Sequence, residues 1–221
     1  MLDPRTVPVL GTDSHLPRIH EAALQPHALR DRFRAPPFWE PEVRSEPLFI
    51  DRPWRDAAVL IPLWLRGDGP LCVLLTQRTA HLSSHAGQIA FPGGRVDPDD
   101  ADVVAAALRE AAEEVGLPPM SVEVLGSLAS YHTGSAYRVT PVVGLVHGCP
   151  ALTPNPHEVA DIFEVPLDFL MNPAHHRRHA THWDGRRREW FSMPYHDGSV
   201  ERYIWGATAG MLRNLYRFLS A

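Results

Sequence analysis

Apolar residues follow two rhythms in this chain. In some stretches they alternate or run unbroken, and in others they recur every third or fourth position, which predicts strands and helices respectively. Residues 57–65, AAVLIPLWL, form an apolar run that reads as a strand. Gly67-Asp68-Gly69-Pro70 is a turn and residues 71–77 a second strand, so the pair predicts a hairpin. Residues 122–128 and 137–146 read as further strands, Pro141 placing the latter at an edge or a bulge. Val159, Ile162, Phe163 and Val165 read as buried, in a segment followed by a short helix near residues 167–170. Met211, Leu212, Leu215, Phe218 and Leu219 give a final helix its apolar face. Earlier, residues 18–33 carry helix-spaced apolar positions that Pro26 is expected to interrupt, and Pro36-Pro37 ends them. Residues 1–50 are read as a Pro-rich extension with a short helix, and residues 51–221 as the domain.

The clearest helix is predicted over residues 101–115, which hold neither Gly nor Pro. Asp99, Asp100 and Asp102 precede or open it, and Gly116 followed by Pro118 ends it. Val104, Ala107, Leu108, Ala111 and Val115 are expected to face the core. Glu110, Glu113 and Glu114, at i, i+3 and i+4, share a second face on which Arg109 is the one cation. Neighbouring carboxylates repel, and a bound hard cation removes the repulsion. Oxygen ligands suit Mg²⁺ or Mn²⁺. The Gly93-Gly94 turn before the helix lets backbone approach a phosphate. The combination suits metal-assisted attack of water on a phosphoanhydride. An acidic, solvated helix face is the plainer reading, and spacing alone leaves both open.

Composition narrows the picture a little. With 221 residues, 44% of them hydrophobic, there is ample material for a core. A net charge of −5 argues against general affinity for nucleic acid or an anionic membrane. The apolar stretches are too short to span a bilayer, and no leader pattern is expected at the start. Cys72 and Cys149 lie far apart without a CxxC, which suits a reducing, cytoplasmic compartment. The one basic cluster, from His175 to Arg188, lacks zinc-like spacing and reads as a solvated hairpin turning at Asp184-Gly185. Attraction of a polyanionic substrate is its second reading. The oligomeric state stays open, a homodimer included.

Two stretches resemble a known family. Arg109-Glu110-Ala111-Ala112-Glu113-Glu114-Val115-Gly116-Leu117 is similar to the second half of the Nudix box. The first half departs: counted from Gly94 the box Glu falls on Asp100, and counted back from Arg109 it falls on Ala101. The loop is one residue longer than the generic box, with Asp100 or Asp97 as substitutes for that Glu. Residues 74–94, from Leu74 through Thr76, Arg78, His85, Gly87-Gln88 and Phe91-Pro92-Gly93-Gly94, resemble the signature of the coenzyme A pyrophosphatase branch. Thr79 and Ser83 are departures, the latter standing where a basic residue is common. The run ERYIWGATA at residues 201–209 also resembles that branch, although packing is the favoured reading of it.

The resemblance implies the Nudix α/β/α sandwich, an α/β fold with a mixed sheet. It implies a Mg²⁺- or Mn²⁺-dependent hydrolase of a nucleotide-derived small molecule, coenzyme A being favoured. Glu110 and Glu114 are the expected metal ligands, with Glu113 a ligand or the residue that orients water. Arg109 would hold a carboxylate in place, and Glu158 is the expected general base, ahead of Asp161 and Glu164. Arg78, His85, Gln88, Gly93 and Gly94 are the expected substrate contacts. A salt bridge, a turn cap and a loop brace are the plainer readings of Arg78, His85 and Gln88. Rival readings are the same fold acting on ADP-ribose or a dinucleotide, and a non-catalytic module binding nucleotide or protein.

Overall fold

The computed structural model describes residues 3–65, 67, 69–81, 86–183 and 185–221, without the side chains of Trp183 and Arg186. In chain order the first half holds β1 (Val9–Thr12), α1 (Pro26–Arg34), β2 (Arg55–Leu65), β3 (Leu71–Arg78), β4 (Ile89–Ala90), β5 (Gly93–Arg95) and α2 (Val103–Val115). There follow β6 (Val122–Ser127), β7 (Tyr131–His132), β8 (Tyr137–Val146), β9 (Val159–Pro166) and α3 (Leu167–Leu170). The remainder is β10 (Arg177–Trp183), β11 (Arg186–Asp197), β12 (Val200–Trp205) and α4 (Gly206–Ser220).

Strand β2 organises a mixed sheet of eight strands among the described residues. It runs parallel to β8 and antiparallel to β3 and β5, completing the expected hairpin with β3 at Leu63, Trp64 and Leu65. Its two-residue period feeds two cores. Ala58, Leu60 and Trp64, with Leu74 of β3 and Val142 and Val146 of β8, pack on Ala106, Ala107, Ala111 and Val115 of α2. Ala57, Ile61 and Leu63 face the larger core, which Leu29 of α1, Phe191 and Met193 of β11, and Met211, Leu212 and Leu215 of α4 close. Full burial of each such aliphatic side chain stabilises the fold by roughly 1.5–3 kcal/mol. The outcome is the expected α/β sandwich around a mixed sheet.

Helix α2 is defined at both ends by its sequence. The Asp102 carboxylate accepts the Val104 and Ala105 N–H groups at 2.9 and 2.8 Å, a cap contributing about 1 kcal/mol. Gly116 leaves the helix at φ 69°, a left-handed conformation that costs little without a Cβ. Among the described residues no helix is long and apolar enough to cross a membrane.

Three expectations are corrected. The stretch over residues 18–33 is not one helix but a 3-10 turn, Glu21–Leu24, followed by α1; Pro26 breaks it as expected, and does so by starting α1. Proline suits the first helical position because its absent N–H has no intrahelical partner to lose. Pro141 is not on an edge: β8 lies between β2 on one side and β6 and β7 on the other. It falls in the gap between the β7 and β6 ladders, where its carbonyl takes the Leu128 N–H at 2.9 Å. The basic hairpin is not wholly solvated. It belongs to a second, antiparallel sheet in the order β1-β10-β11-β12, and its base is buried.

That base holds a charge network that ties the early segment of the chain to α4. Asp13 and Arg213 are 3% and 1% exposed, and Arg213 Nη2 lies 3.0 Å from Asp13 and 2.7 Å from Glu42. Arg178 donates to both Asp13 oxygens at 2.8 Å and to Glu42 at 2.7 Å. Buried His176 joins through its Nδ1, 3.1 Å from Arg213 Nη1, while its Nε2 lies 2.7 Å from the Leu170 carbonyl. A carbonyl and a guanidinium on opposite sides fix one tautomer: Nε2 donates, Nδ1 accepts, and the ring is neutral.

Candidate active site

The second turn of α2 and those after it present Arg109, Glu110, Glu113 and Glu114 toward β5. Arg109 is the hub. Its Nε and Nη2 grip Asp100 with two bonds of 2.9 Å, and its Nη1 reaches Glu110 and Glu113 at 3.1 Å each. Asp100 thus fills the partner role that the box assigns to Glu. Asp97 lies farther off, at 3.8 Å. The Asp100 carboxyl is held below its usual range by that Arg109 bond and by the Asp97 N–H. The longer loop brings Asp100 round to Arg109 without loss of the contact.

The glutamates separate by depth. Glu113 is exposed at the solvent edge of the hub, Glu110 is half-buried, and Glu114 is 3% exposed. The predicted acidic face therefore turns partly inward, and Glu114 shares the buried side of α2 with Ala107 and Ala111. Two glycines make room for this. A Cβ on Gly94 would run into the Glu110 carboxylate, and one on Gly93 would lie 2.5 Å from the Ala58 carbonyl oxygen. Gly93 also donates its N–H to Glu114 at 3.2 Å.

Facing this helix is the end of β3 and the loop before β9. Arg78 Nη1 stands 3.6 Å from Glu114 Oε1. Its Nε is buried with no protein acceptor among the described residues. Its backbone N–H donates to the Gln88 carbonyl at 2.9 Å, beside Gly87 in the left-handed region at φ 70°. Glu158 is held by its own backbone, its carbonyl taking the Thr79 N–H at 2.9 Å. The loop is fastened to α2 as well, Asn155 donating to the Glu114 carbonyl at 2.8 Å and Thr153 to that of Val115 at 2.9 Å. Asp161 turns away, to Arg202. His85 and Ser83 lie outside the described residues.

Electrostatics couple the two sides. Burial pushes the Glu114 carboxyl up to about 7, the charges of Glu158 and Glu110 add to the rise, and the Gly93 N–H and Arg78 oppose it. Glu110 is raised in the same way, first by burial against the opposing Arg109, with Glu113 and Glu158 adding repulsion. Glu158 therefore lies within electrostatic reach of both inner glutamates. An oxygen-rich, negatively charged donor set of this kind suits a hard divalent cation. Among the described residues no three His, Cys, Asp or Glu side chains are clustered as a ready-made metal site. Their carboxylates are shared with Arg109 and Arg78.

Residues 54–194 match the family described as the NUDIX domain. The chain belongs to the Nudix hydrolase family. It is 43% identical over 166 residues to a protein of Yersinia pestis (strain Pestoides F) named as an uncharacterized Nudix hydrolase, NudL, across 75% of this chain and 80% of that one. The NudL of Yersinia pseudotuberculosis serotype O:1b (strain IP 31758) matches to the same extent, 43% over 166 residues. Among solved structures, the Nudix hydrolase RenU of M. smegmatis aligns with a TM-score of 0.45 and 26% identity, over 53% of this chain and 74% of that one. A C. elegans Ap4A hydrolase binary complex aligns with a TM-score of 0.44 and 23% identity, over 54% and 85%.

In this Nudix chain the structure gathers Arg78, Gln88, Gly93, Gly94, Arg109, Glu110, Glu114 and Glu158 around one end of β3 and α2, with Glu113 at its rim. Sequence reasoning did not foresee what supports them. Thr208 of α4 donates to the Ile89 carbonyl at 2.9 Å, and Arg202 of β12 donates to Gln77 at 3.0 Å. The available signal was Arg202 directly before the apolar run Tyr203-Ile204-Trp205, where a charge drawn into the sheet needs a partner.

Proposed function

We propose that this Nudix hydrolase cleaves the pyrophosphate of coenzyme A or of an acyl or oxidised derivative. The products are 3′,5′-ADP and 4′-phosphopantetheine or its derivative. The observation that carries the reading is the position of Arg78. Its guanidinium stands beside the inner glutamates, with a buried Nε that has no protein acceptor among the described residues. A phosphate oxygen supplies the acceptor that is missing. The resemblance of residues 74–94 to the coenzyme A branch narrows the phosphate to that of coenzyme A.

The chain's own residues divide the work. Glu110 and Glu114, with Glu113 at the rim, would hold Mg²⁺ or Mn²⁺, which fits their oxygen donors and mutual repulsion. A divalent cation there supplies charge neutralisation for the diphosphate and a lower pKa for bound water. Arg109, itself anchored on Asp100, orients Glu110 and Glu113. Glu158 takes a proton from the attacking water as its oxygen forms a bond to one phosphorus. The bridging P–O bond breaks, and its electron pair leaves with the second phosphate. Arg78 and the backbone around Gly93-Gly94 hold phosphate oxygens, and Gln88, with His85 by the family resemblance alone, completes the substrate contacts.

The test is hydrolysis of coenzyme A beside ADP-ribose, a dinucleotide and a nucleoside triphosphate, with Mg²⁺ and with chelator. Metal-dependent release of 3′,5′-ADP, fastest from coenzyme A, is expected. Turnover of another substrate alone would keep the carboxylate helix and discard the reading of residues 74–94. Absence of turnover from folded protein would leave a binding module.

A further inference from the structure

We propose that Arg202 is a positioning residue of the hydrolytic site, an inference that rests on the function proposed above. Arg202 touches none of the glutamates. It lies on β12 in the second sheet, 7% exposed, and its guanidinium crosses to the mixed sheet. Nη1 donates to Gln77 Oε1 at 3.0 Å, and Nη2 donates to Asp161 and, at 3.3 Å, to Asp197. The Phe163 ring supports the group from 4.2 Å.

The place of these acceptors gives the contact its meaning. Gln77 and Asp161 face each other on β3 and β9, and they are the last regular pair before the ladder slips. The following pair is Arg78 with Val159, so Ala160 is left over as a bulge. A bulge bends its strand and re-aims the side chains beyond it. Those beyond it are Arg78, which faces Glu114, and Thr79, whose N–H holds the Glu158 carbonyl and whose hydroxyl donates to that of His157 at 3.3 Å. On the other flank of β3, Gln77 pairs with Ile89, whose carbonyl Thr208 holds from α4. The run Glu201–Ala209 therefore lies beneath the corner from which both Arg78 and the Glu158 loop depart. A planar fork that meets acceptors on three segments suits this task, and an ammonium does not reproduce it.

The experiment uses the full chain and the variants Arg202→Met, Arg202→Lys and Asp161→Asn. It reads kcat and KM on the best panel substrate, and amide hydrogen exchange at Thr79 and Val159. Displacing reacting groups by about 1 Å costs on the order of 100-fold. Arg202→Met should accordingly lose about 30- to 100-fold in kcat/KM, mostly in kcat, with partial recovery in Arg202→Lys. Asp161→Asn should lose about 3- to 10-fold, on the same reasoning for one bond of several. Exchange at Thr79 should quicken at least about tenfold while the β2–β8 ladder stays protected. If Arg202→Met does not fold, the other two variants carry the test. Normal kcat in Arg202→Lys and Asp161→Asn, with Thr79 exchange unchanged, overturns the inference. So does a loss of global stability with normal kcat per folded molecule. Should the wild-type chain hydrolyse nothing in the panel, the proposed function fails on its own, and the exchange measurement still decides whether Arg202 holds this corner.

Discussion

The backbone N–H of Asn155 donates to the backbone carbonyl of Glu114 at 2.8 Å. The loop carrying Glu158 is thereby pinned to the helical residue whose side chain is the most deeply buried acid of the site. Thr79 pins the same loop from the opposite side, at the Glu158 carbonyl. The spacing between the proposed base and the inner glutamates is thus set by backbone bonds, which substitution of the glutamate side chains themselves leaves in place.

Glu114→Gln should therefore be a clean test of charge. The amide keeps the volume and can still accept the Gly93 N–H, so folding should survive. Turnover should fall by several orders of magnitude, about 10³-fold or more, in a metal-dependent assay. Near-normal turnover would show that Glu114 is not a metal ligand.

The two neighbouring glycines should respond differently to Ala. In Gly94→Ala the new methyl meets the Glu110 carboxylate, the movable end of a side chain. Stability should change by less than about 1 kcal/mol, while activity drops at least about tenfold. In Gly93→Ala the methyl meets the Ala58 carbonyl and the Val59 Cα, which are backbone atoms of β2. Overpacking there should destabilise the fold by about 1–3 kcal/mol or more. Urea titration beside the turnover assay separates the two outcomes.

His176 should withdraw stability as the pH falls from about 6.5 to 4. Burial pushes its pKa down to about 4, and Arg213 adds to the depression, while the bond to the Leu170 carbonyl opposes it. In that window the unfolded imidazole takes up a proton that the folded one refuses, so acid favours unfolding. The contribution is intact above about pH 6.5 and is lost progressively, reaching about 3 kcal/mol at pH 4. Asp13, which faces the same network, titrates lower. Burial would raise its pKa, but the Arg178 bond and the Arg213 charge lower it. Denaturant titrations from pH 7 to 4 should show a greater acid loss in the wild type than in His176→Gln, the opposite contribution of the raised Glu114 carboxyl being common to both. Equal losses would remove His176 as the cause.

Asp13→Ala should cost about 3–5 kcal/mol, since it strips a buried guanidinium of one partner. The measurement is the free energy of unfolding at neutral pH. Arg213→Met in the Asp13→Ala background should recover part of the loss, because the stranded charge is then gone. A loss under about 1 kcal/mol would mean that Glu42 suffices alone.

What the sequence disclosed was local. An Ala-rich run between Asp102 and Gly116 announces α2 because cap, propensity and stop signal all sit within it. The glutamate spacing also survives folding, since it depends only on the helical repeat. The depth of Glu114 was not legible, because it depends on Gly93 and β5 folding over that face. Pro26 broke its stretch as expected but by opening a helix, and Pro141 misled, for one reason. A missing N–H is harmful only where a partner awaits it, and both prolines sit where none does. The second sheet and its Asp13–Arg213 pair join residues far apart, which no periodicity records.

The same pairing sets an order of events. Tyr216 donates to the Pro17 carbonyl, and Tyr203 to that of Pro4, each across 199 residues. During synthesis, Asp13 emerges long before Arg213 exists to receive it. The early segment must wait, solvated, until the late strands and α4 have been made, and its docking closes the molecule afterwards. Folding of this chain is in that respect back-to-front, with the acidic clasp of Asp13 and Glu42 among its final steps.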